Sequence, residues 1–89
     1  MRMESFRHNE RKLETLRIFQ TMYPDWVRPE AYAWKIGKLP ARAAYSYLRN
    51  LWHWGLLERH GRPVRYRISP RGRERLAWLQ NEFPISHSR

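Results

Sequence analysis

Eighty-nine residues suffice for one small domain with limited room for a core. Eighteen Lys and Arg against eight Asp and Glu give a formal net charge of +10, while 42% hydrophobic residues set the chain apart from a disordered basic tail; such a charge implies a polyanionic partner or an anionic membrane surface. The absence of cysteine excludes disulfides, thiolate zinc sites and cysteine nucleophiles, and no apolar run reaches membrane-spanning length.

Residues 1–8 read as a frayed terminus with Phe6 as the one anchor, and Met1-Arg2-Met3-Glu4-Ser5 lacks the apolar core of a signal peptide, so a cytoplasmic location is expected. A first helix is predicted over 9–22, with Asn9 as its N-cap and no interior glycine or proline. Leu13, Leu16, Phe19 and Tyr23 form its apolar stripe, which Ile18 and Met22 widen. A stripe that wide suits burial on two sides, so Leu13 and Ile18 are candidates for a dimer or partner interface. Pro24-Asp25 breaks the helix, and Trp26-Val27 is a short extended piece suited to pairing with a later hairpin.

Pro29 at a first helical position and Glu30 at the positive end of the dipole open a second helix, which ends at Gly37 after Ile36. Lys38-Leu39 form a turn, and Pro40 opens a third helix expected over 40–54 with its stop at Gly55. Strands follow over 57–59 and 64–68 around the tip His60-Gly61-Arg62-Pro63. Ser69-Pro70 caps a last helix, in which Leu76, Leu79 and Phe83 fall at i, i+3 and i+7 and which ends before Pro84. Leu79 and Phe83 join the candidate interface, and 84–89 form a loose tail. The reading is a single domain over 9–83, mainly α, with a three-helix core, a short strand, a two-stranded hairpin and a C-terminal helix.

The third helix carries the functional signal. Ala44, Leu48 and Leu51 lie on one side, so Arg42, Tyr45, Ser46 and Arg49 face the other. Residues 1–40 hold eight basic and five acidic side chains, whereas 41–89 hold ten and three, and all ten are arginine, whose planar fork suits phosphates and guanine edges. A helix with a small, basic outer face followed by an arginine-bearing hairpin can lay the helix in a DNA groove and the ribbon on the backbone. Arg42, near the helix start, is placed for base edges and Arg49 for the backbone. Ala41 and Ala43 permit close approach. Trp52 follows Leu48 at i+4 and is assigned to the core; Trp54, about 200° away, is assigned to the interface.

Two segments resemble motifs of a known family. Leu48-Arg49-Asn50-Leu51 followed by Gly55-Leu56-Leu57-Glu58-Arg59 resembles the exit of a winged-helix recognition helix. Tyr66-Arg67-Ile68-Ser69-Pro70-Arg71-Gly72 followed by Leu76 resembles the wing-to-helix junction of the same fold, as found in PadR-like and MarR-like transcriptional regulators. The resemblance covers roughly residues 26–79 and implies a winged helix-turn-helix homodimer that binds double-stranded DNA. By position it implies DNA contacts from Ala41, Arg42, Ala43, Tyr45, Ser46 and Arg49 on the helix, and from Arg59, His60, Arg62, Arg65 and Arg67 on the wing. Arg28 departs from the usual capping threonine, and Trp52-His53-Trp54 replace residues that are usually charged.

Other functions find less in the chain. His8, His53, His60 and His87 are scattered without paired-ligand spacing, so no metal or other cofactor is expected. No nucleophile stands with a base, and no carboxylate pair or glycine-rich phosphate loop is present, so an enzyme is not expected. No small-molecule domain is visible. The alternatives are a protein-interaction or assembly module using Trp34, Trp52 and Trp54, and an RNA-binding module stacking bases on Tyr45 or a tryptophan.

Overall fold

A computed structural model describes residues 2–37 and 39–82, with side chains from Asn9 onward. The elements are α1 (Arg2–Met22), α2 (Pro29–Ile36), α3 (Ala41–His53), β1 (Leu57–His60), β2 (Arg65–Ile68) and α4 (Pro70–Glu82). The protein is thus mainly helical, with a two-stranded antiparallel hairpin between its last two helices. Among the described residues, no helix is long and apolar enough to cross a membrane. The side chain of Phe6, and Phe83 with the tail 84–89, lie outside what is described.

α1 starts at Arg2, well before Asn9, which sits inside the helix and does not cap it. The cost of one asparagine in a helix interior is a fraction of a kcal/mol, roughly 0.7 at most, and nothing before it breaks the helix. Leu13, Leu16 and Phe19 are buried, but Tyr23 lies past the helix end and is 40% exposed. Thr15, a polar residue in this apolar face, is fully buried and shares a 2.7 Å hydrogen bond with the Tyr32 hydroxyl of α2. The Phe19 and Tyr32 rings meet at 5.7 Å, so ring packing and one buried hydrogen bond together lock α1 to α2.

α2 runs between the expected punctuation. Pro29 occupies its first turn, and Gly37 closes it in the left-handed conformation (φ 64°), donating its N–H to the Ala33 carbonyl. α3 buries Ala44, Leu48 and Leu51 at i, i+4 and i+7, and Gly55 (φ 78°) lets the chain turn sharply into β1. In the hairpin, Leu57 pairs with Ile68, Glu58 with Arg67, Arg59 with Tyr66 and His60 with Arg65. Val27 and Tyr66 exchange both backbone hydrogen bonds at 2.8 Å, which adds the extended piece after α1 to the edge of the hairpin.

The Ser69 joint fixes α4. Its hydroxyl donates to the Gly55 carbonyl (2.6 Å) and accepts the Gly72 N–H (2.9 Å), tying the end of α3 to the start of α4. The Ser69 bond needs only a backbone N–H at position 72, but glycine is required there because a β-carbon would collide with the Leu56 carbonyl oxygen and stand 2.8 Å from Ile68 Cγ1. α4 then crosses to α1 and buries Leu76 and Leu79. Leu13 (3% exposed) and Leu79 (0%) therefore belong to the domain's own core and are not interface residues, because a core this small uses every large aliphatic side chain it can reach.

Candidate nucleic-acid interface

α3 presents one face to the core and the opposite face to solvent. Ala41, Arg42, Tyr45, Ser46 and Arg49 are all exposed, while Ala43, about 100° round the helix from Arg42, is half-buried on the flank. Between this face and the hairpin lies an open groove of about 560 Å³. Arg42 and Arg49 line it from the helix, Arg59 lines it from β1, and Val64 and Tyr66 line it from the second arm of the hairpin. Residues as far apart in the chain as Glu30 and Tyr66 thereby share one cationic concavity.

The hairpin arginines divide between two faces. Side chains alternate along a strand, so the buried Leu57, Tyr66 and Ile68 carry Arg59 with them, while Glu58, His60, Arg65 and Arg67 point away. His60 stacks on Trp26, ring centroids 5.2 Å apart. Arg67 is fully engaged on that outer face. Its Nε and Nη2 both donate to Glu58 Oε1 (3.1 and 2.9 Å), and its guanidinium lies 4.2 Å from the Trp26 ring centroid and 5.5 Å from that of Tyr23. Of the expected wing contacts, the register of the sheet thus places His60, Arg65 and Arg67 on the face opposite Arg59. Arg62 is exposed in the turn at the tip.

Arg59 is held differently. Its guanidinium carbon lies 3.6 Å from the centroid of the Trp52 ring, one turn beyond Arg49 on α3. Trp52 is half-buried, packed partly on the core and partly beneath this arginine, so its ring serves as a platform as well as a core residue. Stacking leaves the guanidinium donors pointing outward with fewer rotamers to lose on binding. Neither Trp52's second role nor the pairing is signalled by the sequence, since the two residues meet only after the hairpin folds back.

Glu30 is the other residue that sequence reasoning passed over. The Tyr45 hydroxyl donates to its carboxylate across the groove margin. That hydrogen bond, with Glu30's own backbone N–H in support, holds the carboxyl below its ordinary pKa, and the same contact pushes the Tyr45 phenol up. A lone carboxylate at the edge of a basic groove repels phosphate locally and can accept a hydrogen bond from an amino group such as cytosine N4.

Of the remaining candidates, Ile18 is half-buried against the core, and Trp54 is 53% exposed with the Lys12 ammonium 4.9 Å from its ring centroid. Among the described residues, no group of three or more His, Asp or Glu side chains is placed to hold a metal ion. Comparison of the chain with protein-family models, with curated proteins and with solved structures finds no match.

Proposed function

We propose that the chain is a winged helix-turn-helix protein that binds double-stranded DNA, as a transcriptional regulator does, with α3 in the major groove and the β1–β2 hairpin as the wing on the backbone. The observation that carries this reading is the convergence of Arg42, Arg49 and Arg59 on one groove beside Tyr45 and Ser46. A major groove about 12 Å wide admits a single α-helix whose exposed face is narrow and polar, and α3 has such a face over its whole length. Arg42, in the first turn, reads a base edge. Arg49 and the Trp52-supported Arg59 clamp phosphates, and Glu30 with Tyr45 limits which base pair is accepted at the groove margin. A homodimer remains part of the proposal, its candidate surface among the described residues now reduced to Ile18 and Trp54.

The test uses duplexes selected from a random pool by the full chain. Arg42→Ala should lose about 1–3 kcal/mol on the selected sequence and much less on random duplex, because a bidentate base contact depends on sequence. Equal loss on both makes Arg42 a phosphate anchor, and no loss on either, with the fold intact, removes the groove from the function. A second reading, a protein-interaction module, draws on one observation: Trp34 on α2 is 84% exposed, an unusual place for so large an apolar ring. It would be favoured by a partner lost on Trp34→Ala while duplex affinity stays unchanged.

A further inference from the structure

None of the residues of the α3 groove takes part in a second basic and aromatic patch. On α4, Arg71, Arg75 and Trp78 stand at i, i+4 and i+7, and with Glu74 they line an open depression of about 690 Å³, a volume in the range that accommodates small ligands. Trp78 is 47% exposed, and the Arg75 guanidinium lies 5.3 Å from its ring centroid. Arg71 rests along the turn after α3, its Cδ 3.3 Å from where a β-carbon on Gly55 would stand. Lys12 of α1 lies outside the lining, its ammonium 4.9 Å from the Trp54 ring centroid. Burial and then the charge of Arg75 hold Lys12 below the ordinary lysine pKa, so these two cations sit within electrostatic reach of each other.

Among the described residues, neither Lys12, Arg71 nor Arg75 makes a hydrogen bond or an ion pair. Arg71 and Arg75 flank the one carboxylate of the depression, Glu74, so the lining keeps a net positive charge that a bound anion would offset. The exposed indole narrows the choice of anion to one that carries a flat ring. A second copy of the chain is disfavoured as occupant, since a two-fold axis through the patch would set these cations against themselves.

We propose that this patch is a nucleotide-binding site, separate from the duplex-binding groove. The phosphate lies between Arg71 and Arg75. The base stacks on Trp78, and the Glu74 carboxylate accepts a hydrogen bond from an exocyclic amino group, so adenine, guanine and cytosine are preferred over uracil. A free nucleotide and the 5′-phosphorylated end of a single strand share this chemistry.

Calorimetry on the full chain, with AMP, UMP, adenosine, inorganic phosphate and a short 5′-phosphorylated oligodeoxyadenylate as probes, tests the site. AMP should bind saturably, with adenosine, phosphate and UMP each weaker. Trp78→Leu and Arg75→Ala, both at exposed positions, should each weaken AMP about tenfold, the order expected for loss of one stacked base or one charged contact. Arg42→Ala should leave AMP binding unchanged, so failure of the duplex reading and failure of this one are separable. Tighter binding of AMP than of the strand identifies the free nucleotide as ligand, and the reverse, with the same dependence on Trp78, identifies the strand end. Four results would overturn the site: no AMP binding; phosphate binding as tightly as AMP; AMP binding indifferent to Trp78→Leu; or a dimer in sedimentation that the Trp78→Leu change dissolves. Duplex DNA weakened by Arg75→Ala as much as AMP would also overturn it, by making the patch part of the duplex contact.

Discussion

Gly72→Ala should damage this protein more than any other single-methyl addition in it. The new β-carbon would collide with the Leu56 carbonyl oxygen and stand 2.8 Å from Ile68 Cγ1, so α4 must move away from the hairpin to make room. That movement strains the Ser69 hydrogen bonds to Gly55 and Gly72 and loosens the buried Leu76 and Leu79. Overpacking of this kind costs ~1–3 kcal/mol and occasionally more, and here, against backbone, the upper end applies. In a domain of this size each kcal/mol lowers Tm by about 4–8 °C, so a loss on the order of 10–20 °C is expected in thermal unfolding followed by circular dichroism. Gly61→Ala is the control. Its φ of 79° makes alanine strained, but the nearest atom would be 3.6 Å away, so the cost should be limited to about 1–2 kcal/mol of backbone strain. A Gly72→Ala protein as stable as Gly61→Ala would refute the seating of α4 on the exit of α3, and with it the placement of the hairpin beside the groove.

Two further outcomes follow from the same contacts. Thr15→Val leaves the fully buried Tyr32 hydroxyl without its partner and should cost about 1–3 kcal/mol in urea unfolding, whereas Thr15→Val with Tyr32→Phe should recover much of that loss; two additive losses would mean that the hydrogen bond does not form. Glu30→Gln should raise affinity for random duplex by about threefold, the effect of removing one charge ~7 Å from a phosphate in water, and should move the Tyr45 phenol back toward its ordinary pKa in an ultraviolet titration. Because Glu30 titrates below its ordinary range, the Tyr45 contact favours the fold above that range and fades as the pH falls through the depressed value.

The parts of this fold that could be read from the sequence are those with local chemical punctuation. Pro29 and Gly37 bound α2 because one needs no N–H and the other adopts a left-handed cap without strain. The spacing of Ala44, Leu48 and Leu51 assigns α3 its two faces. The pairing of Val27 with Tyr66 follows from an extended dipeptide with nowhere else to satisfy its backbone. Period-two alternation also held the sidedness of the hairpin: Tyr66 and Ile68 point inward, so Arg65 and Arg67 must point out. Nothing local marks the Arg59–Trp52 stack, the Tyr45–Glu30 bond or the Lys12–Arg75 proximity. Each joins side chains from different elements, and the register that brings them together is set by core packing alone. Leu13 and Leu79 were assigned to an interface because a helical stripe shows which residues are buried but not whether the same chain or another buries them.

The central claim is that the groove between α3 and the hairpin holds duplex DNA through phosphate contacts from Arg49 and Arg59. The direct test is the salt dependence of duplex affinity, measured by fluorescence anisotropy across about 50–200 mM salt, for the unaltered chain, the double variant Arg49→Ala/Arg59→Ala, and Arg67→Ala as a control on the outer face. Each phosphate contact contributes a slope of about −0.9 in log affinity against log salt, so the double variant should be shallower by about 1.8, while Arg67→Ala, held by Glu58 and Trp26, should match the unaltered chain. A double variant that keeps its helical circular dichroism, its affinity and its full slope would contradict the account.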